Sequence, residues 1–81
     1  MRMQKGEVKI DRKNTNFKKL LKIIDKVGGY PVMATDLDGT KLAIDITEGT
    51  GERFCSVIEP GDAGTIVTDY YEDGRVETHT V

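Results

Sequence analysis

Residues 30–47 decide the fold, and they read Tyr-Pro-Val-Met-Ala-Thr-Asp-Leu-Asp-Gly-Thr-Lys-Leu-Ala-Ile-Asp-Ile-Thr. Apolar and polar residues alternate on both sides of Asp36-Leu37-Asp38-Gly39, and alternation with a period of two is typical of β-strands. Aspartate followed by glycine is typical of a hairpin turn, because glycine adopts positive φ without steric cost. The stretch therefore predicts two antiparallel strands, residues 30–35 and 41–47.

The length of the hairpin loop decides which residues face each other. A two-residue Asp38-Gly39 turn pairs Leu42 with Thr35, Ile44 with Met33 and Ile46 with Pro31. A three-residue loop with Gly39 in the left-handed bulge position pairs them instead with Ala34, Val32 and Tyr30. Only the second register gives both strands one continuous apolar face, and a slip of one residue would turn that face to solvent. We therefore predict the three-residue loop.

Residues 17–27, before the hairpin, predict an amphipathic helix. Its apolar residues recur at intervals of three and four, as on one face of a helix, with Ile23 beside them: Phe17, Leu20, Leu21, Ile24 and Val27. Asn16 is the expected N-cap, and the pair Gly28-Gly29 is expected to end the helix in the left-handed conformation.

Short strands are predicted on either side of these elements, over residues 6–11, 52–58, 65–71 and 75–81. Residues 48–51 predict a turn, residues 59–64 a loop rich in strand-breaking residues, and Glu72-Asp73-Gly74 the turn of a second hairpin. A helix with one apolar stripe needs one sheet face to cover it. We predict an α+β fold in which one amphipathic helix packs across a curved antiparallel β-sheet of four to six strands, in the order (β)αββββ(β).

The size and cysteine content limit the class of protein. A chain of 81 residues predicts a single domain over residues 1–81, in which we expect residues 1–5 to be frayed. Cys55 is the only cysteine, so no intramolecular disulfide can form, unlike in most small secreted scaffolds. The N-terminal residues do not resemble a signal peptide, and no apolar run is long enough to span a bilayer. We expect a cytoplasmic protein that does not bind membranes.

Charge is divided unevenly along the chain. Residues 1–26 contain nine lysine or arginine residues and three acidic ones, whereas residues 27–81 contain three basic and eleven acidic residues. Such a division predicts surfaces of opposite electrostatic potential. These surfaces either neutralise each other within the molecule or attract charged partners, and the sequence leaves both alternatives open.

One short motif suggests catalysis. The string Val-Met-Ala-Thr-Asp-Leu-Asp-Gly-Thr, residues 32–40, is similar to the first motif of the haloacid dehalogenase-like phosphatases. That resemblance implies Asp36 as the nucleophile, Asp38 as the general acid/base and a magnesium ion held by both. It covers about nine residues, and the family also needs a parallel, doubly wound core and a lysine on a helix downstream. Because only antiparallel strands are predicted after the motif, we interpret it as turn chemistry.

Other candidate sites are weaker. Asp36, Asp38 and Thr40 match the start of a calcium loop, but Lys41 stands where such a loop needs glycine, and Thr47 where it needs glutamate. One cysteine and one histidine, Cys55 and His79, are too few ligands to close a zinc site. The two could meet on neighbouring strands as nucleophile and base, but a buried cysteine and a surface histidine are the expected arrangement. The Gly61-x-x-Gly64 loop could bind an anion, but Glu59 and Asp62 would repel it. We predict no catalytic, cofactor or metal site.

The remaining function is binding. We expect a small non-catalytic module of the inhibitor or accessory-subunit type, which binds another protein through an acidic sheet face or an exposed edge strand. Tyrosine is favoured at interfaces, and the candidate residues for this surface are Asp69, Tyr70, Tyr71, Glu72 and Glu77. The same kind of edge could join two copies of the chain. The alternative is nucleic-acid binding through a basic helix face formed by Lys18, Lys19, Lys22 and Lys26.

Overall fold

The computed structural model describes residues 8–49 and 51–81, which form one helix and six strands. The strands are β1 (Val8–Ile10), β2 (Val32–Asp36), β3 (Lys41–Thr47), β4 (Phe54–Gly61), β5 (Gly64–Tyr71) and β6 (Val76–Thr80). The helix α1 (Phe17–Val27) lies between β1 and β2 in the chain and packs on one face of the sheet. The predicted α+β fold is confirmed, whereas the fraying expected at residues 1–5 lies outside the described residues.

Strands that follow one another in the chain are also neighbours in the sheet, in the order β1-β2-β3-β4-β5-β6. The β2–β3 hairpin has the predicted register, which pairs Ala34 with Leu42 and Val32 with Ile44. Gly39 has a φ of 91°, as the left-handed bulge position requires. The third predicted pair, Ile46 with Tyr30, lies beyond the start of β2 at Val32.

One pairing differs from the antiparallel arrangement that we predicted. Strand β1 runs parallel to β2, with Val8 beside Ala34 and Ile10 beside Asp36. Parallel neighbours cannot be joined by a tight turn and need a crossover connection, which α1 supplies. The alternation of residues along a strand is the same in both directions, so the pattern alone could not reveal this.

The helix begins after Asn16 and ends at Gly28, the two capping residues that the sequence predicted. The Asn16 side chain accepts a hydrogen bond of 3.0 Å from the Lys19 backbone N–H. Gly28 has a φ of 89°, and its N–H donates to the Ile24 carbonyl oxygen over 2.9 Å. Both caps satisfy backbone groups that a helix end otherwise leaves without partners.

The buried face of α1 is shorter than the sequence predicted. Phe17, Leu20 and Ile24 are buried, but Val27 is 54% exposed. All residues from 25 to 31 are exposed, so the last helical turn extends beyond the packed interface. The helix packs against β2, β3 and β4, where the sheet contributes most of the core: Val32, Ala34, Leu42, Ile44, Ile46, Cys55 and Val57.

The segment predicted as a loop, residues 59–64, belongs mostly to β4 and β5. The two strands continue to a Gly61–Gly64 pair, which leaves only residues 62 and 63 as the turn. Pro60 is tolerated because the pairing of β4 with β3 ends at Ile58, and because Thr65 opposite it hydrogen-bonds to Val81 instead. Gly61 and Gly64 therefore serve close backbone packing, in place of the anion loop that we considered.

Gly64 gives a test of this turn. Its φ is 142°, and a Cβ added there would lie 2.5 Å from the Val81 carbonyl oxygen. We expect Gly64→Ala to lower the free energy of unfolding by about 2 kcal/mol, because the strained backbone and the clash coincide. Gly29→Ala is the matched control, since an added Cβ there meets nothing and the φ is ordinary. Equal urea midpoints for the two variants would contradict this account.

No helix within residues 8–49 and 51–81 is long and apolar enough to cross a membrane.

Candidate functional site

The loop that resembles a phosphatase motif has the same geometry as the β5–β6 loop. In the β2–β3 loop, the Asp36 N–H donates to the Thr40 carbonyl oxygen over 2.8 Å, and the Gly39 N–H donates to the Asp36 carbonyl oxygen over 2.9 Å. The Thr40 N–H donates to a carboxylate oxygen of Asp38 over 2.9 Å. The loop at residues 71–75 repeats all three bonds, with Asp73 in the place of Asp38. The Asp-Gly pair therefore closes both hairpins.

Arg12 lies between the two aspartates of the first loop. Its Nε is 2.8 Å from Oδ2 of Asp36, and its Nη2 is 3.1 Å from Oδ2 of Asp38. Its Nη1 forms an ion pair with Glu59 on β4. The Arg12 backbone joins the cluster as well, since its N–H donates to Asp36 over 3.2 Å and its carbonyl oxygen accepts from the Tyr70 hydroxyl over 3.1 Å.

This cluster does not suit the magnesium ion that the resemblance implies. A guanidinium group presents its donors as a planar fork, and here they are directed at the carboxylate oxygens that a metal would need. Hydrogen bonds from the Thr40 hydroxyl and N–H, with a contribution from Arg12, lower the pKa of Asp38. Asp36 is only 5% exposed. Arg12 therefore joins the loop to β4 through its guanidinium and to β5 through its backbone carbonyl oxygen, which is a structural role.

Cys55 and His79 do not meet. Cys55 lies on the helix side of β4, whereas His79 lies on the opposite face of β6, with β5 between the two strands. Cys55 is fully buried, and burial raises the pKa of its thiol to about 11. A nucleophilic cysteine needs the reverse, a lowered pKa and access to substrate.

Cys55 should therefore be unreactive in the folded protein. At pH 8 a thiol with a pKa of about 11 is ionised in about one molecule in a thousand, and burial also blocks the reagent. We expect Ellman's reagent to leave the native chain unmodified over minutes and to titrate the thiol at once in guanidinium chloride. Modification of the native chain at the rate of an exposed thiol would contradict the burial of Cys55.

Two of the five predicted protein-binding residues are buried. Asp69 is 5% exposed, and it accepts a hydrogen bond of 2.7 Å from the Ser56 hydroxyl. Its other carboxylate oxygen is 3.4 Å from Nε2 of His79. Tyr70 is 7% exposed and belongs to the core under α1. Their side chains therefore offer little surface to a partner, and changes at either position would test folding rather than binding.

The other three predicted residues lie together near the β5–β6 turn. The Tyr71 ring packs against Phe54, with centroids 4.7 Å apart, and under the Arg75 guanidinium at 4.0 Å. Its hydroxyl is 3.4 Å from a carboxylate oxygen of Glu77. Burial and the Glu77 charge raise the pKa of Tyr71. The surrounding surface is acidic, since two arginines, Arg53 and Arg75, stand among five carboxylates: Glu48, Glu52, Glu72, Asp73 and Glu77.

The face of the sheet opposite α1, which we call the open face, carries a feature that the sequence analysis missed. The registers align four apolar side chains across β2 to β5 in one row: Met33, Ala43, Ile58 and Val67. A second row contains Thr47, Phe54 and Tyr71, and a polar row with Ser56 and Asp69 separates the two. Within the described residues no second layer covers these rows, and Met33 is 68% exposed. Combining the hairpin registers would have revealed the rows, but the register of β4 with β5 was unknown.

The lysines of the alternative surface project from α1. Lys18, Lys19, Lys22 and Lys26 are all exposed. Lys19 donates from Nζ to the Asn14 carbonyl oxygen over 2.9 Å. Among residues 8–49 and 51–81, the ion pairs of the carboxylates involve arginines, Asp69 lies beside His79, and no carboxylate pairs with these four lysines. Direct ion pairing with the acidic sheet therefore does not neutralise this helix face.

Among known proteins, no family model matches the chain, and neither the curated proteins nor the solved structures gave a match. In the part of the chain that the structure describes, no group of three or more histidine, cysteine, aspartate or glutamate side chains is placed to hold a metal ion.

Proposed function

We propose that this chain is a small non-catalytic module that binds another protein through the open face of its sheet. The observation that carries the proposal is the apolar row across β2 to β5, which lies on a face that no described element covers. An antiparallel sheet with one solvated face normally alternates apolar and polar residues, with the polar ones outward. Contiguous apolar side chains on such a face are typical of interaction sites.

Tyr71 and the acidic surface around it give the proposed interface a second part. Aromatic residues with a polar tip are enriched at interfaces, because they bury a large area and still satisfy a hydroxyl. The excess of carboxylates over arginines near the β5–β6 turn favours a partner with basic residues at its rim. We therefore propose a partner that presents an apolar ridge beside a basic edge.

Two observations support a role without catalysis. Arg12 engages both aspartates of the phosphatase-like motif, and Asp38 has an equivalent in Asp73, which lies in a hairpin without that motif.

A buried, unpaired thiol is typical of reducing compartments, so we also propose a cytoplasmic location.

Met33 allows a direct test. The tagged chain would be used to capture proteins from host lysate, and the captured proteins would be quantified by mass spectrometry for the wild type and for Met33→Glu. We expect the specific partner to be lost, because a charge would be placed on the apolar row. The fold should be unaffected, since the Met33 side chain is 68% exposed.

Leu37→Glu is the matched control, because Leu37 is 70% exposed but lies in the β2–β3 loop rather than on the open face. A partner that Met33→Glu loses and Leu37→Glu retains supports the proposal. A partner captured equally by both variants, or lost equally from both, contradicts it.

The exposed lysines of α1 keep nucleic-acid binding as the second candidate. Their absence from ion pairs with the described carboxylates leaves their charge available for phosphates. In this case Lys19→Glu combined with Lys22→Glu should abolish binding, and nuclease or added salt should release the captured material. Neither treatment should affect a partner bound to the open face.

A further inference from the structure

The outer edge of β6 presents a defined set of backbone groups. The backbone groups of Arg75 and Val81 point towards β5. The Arg75 carbonyl oxygen accepts a hydrogen bond from the Tyr71 N–H (2.8 Å), and Val81 exchanges two backbone hydrogen bonds with Thr65 (2.8 and 3.1 Å). Successive residues of a strand point their N–H and C=O groups to alternate sides. Those of Val76, Thr78 and Thr80 therefore point outward, and no described strand pairs with this edge.

We propose that this edge binds the same edge of a second copy of the chain, antiparallel, about a two-fold axis at Thr78. Thr78 then faces the second copy's Thr78, and Val76 faces its Thr80. These are hydrogen-bonded pairs, because all three residues direct their backbone groups outward. A two-fold axis uses the same surface on both copies, so the assembly closes at two chains.

Side-chain charge selects this register. The axis at Thr78 sets Glu77 opposite the second copy's His79, on the open face, and histidine is either neutral or attracted to glutamate. An axis at Glu77 would instead oppose two glutamates and set Arg75 against His79, and like charges directly opposite each other destabilise a sheet. An axis at His79 would oppose two histidines and form fewer backbone bonds. Only the Thr78 axis combines complementary charges with pairing along the whole strand.

The helix side of β6 suits the same register. Val76 is 54% exposed there and would meet the second copy's Thr80. The two Thr78 side chains would lie side by side, and cross-strand threonine pairs are favourable. All five residues of β6 are exposed, and the strand contains neither proline nor lysine, two residues that commonly protect an edge.

The dimer would be one continuous sheet with both open faces on the same side. It goes beyond the proposed function, because it concerns a strand edge rather than the open face, and the two can fail separately. Met33→Glu should leave the dimer unchanged, and loss of the dimer should leave a one-to-one contact between partner and open face intact.

Sedimentation equilibrium of the full chain, from about 1 µM to 1 mM, tests the association. We expect a concentration-dependent dimer for the wild type and a monomer for Thr78→Pro, because proline removes the central outward N–H. Proline is compatible with an edge strand where the N–H faces away from the sheet, so the monomer should remain folded by circular dichroism. Thr78→Val is the matched control: it keeps the N–H and the β-branched shape and should still dimerise. A wild type that is monomeric throughout, or a dimer that survives Thr78→Pro, overturns the proposal.

Cysteine substitution tests the register without relying on the proline variant. Thr78→Cys should form a disulfide between copies under a mild oxidant, because facing residues of a hydrogen-bonded pair lie about 5.5 Å apart between Cα atoms. Val76→Cys and Thr80→Cys, whose backbone groups also point outward, should not, since each lies about 14 Å from its counterpart. Cys55 is buried and should stay reduced. Equal cross-linking at all three positions, or none at Thr78, overturns the two-fold axis.

Discussion

Arg12→Leu is expected to lower the free energy of unfolding by about 3–5 kcal/mol, because removing one partner of a buried ion pair leaves an uncompensated charge. Asp36 is 5% exposed and would lose both the Arg12 Nε contact and the neutralising cation. Glu59 would lose its ion pair as well. A domain of this size has only about 4–12 kcal/mol of stability, so the variant should be near its unfolding threshold. Urea denaturation followed by circular dichroism measures the loss.

Two further variants separate the charge effect from packing. With leucine at position 12, Asp36→Asn should recover part of the loss, because it removes the buried charge that lacks a partner. Arg75→Leu is the matched control: Arg75 pairs with Glu52, but both side chains are about half exposed, and an exposed pair contributes at most about 1 kcal/mol. If the Arg12 and Arg75 variants have similar midpoints, Arg12 is not the structural cation that we describe.

Leu20→Ala should cost about 2–5 kcal/mol, because Leu20 is fully buried and its truncation leaves a cavity between α1 and the sheet. Val27→Ala on the same helix is the control. Val27 is 54% exposed, so its truncation creates no cavity, and the free energy of unfolding should change by less than about 0.5 kcal/mol. Chemical denaturation of both variants measures the difference. A small loss for Leu20→Ala would mean that the helix packs loosely on the sheet.

The sequence predicted the parts of the fold that depend on local chemistry. The cap at Asn16, the stop at Gly28 and the three-residue loop at Gly39 each involve residues a few positions apart, and all three are confirmed. The predicted strand ends near Pro60 were wrong. A proline does not interrupt β4 there, because the pairing of β4 with β3 has already ended. That condition depends on the sheet order, which no local pattern contains.

The candidate site was less predictable than the fold. The sequence predicts Asp69 and Tyr70 on a binding surface, as part of an acidic patch with a tyrosine, but the β4–β5 register buries them beside Ser56 and Cys55. Arg12 lies within the basic segment of residues 1–26, yet it pairs with carboxylates that lie 24 to 47 positions along the chain. Such contacts arise from tertiary packing alone.

The order of the strands has a consequence for synthesis of the chain. Each antiparallel pairing joins strands that are consecutive in sequence, so every step closes only a short loop and costs little entropy. A nascent polypeptide can therefore extend the sheet one strand at a time as it leaves the ribosome. Strand β1 is the exception: although it is made before the other strands, it must wait for the helix and β2 to emerge before its edge position exists.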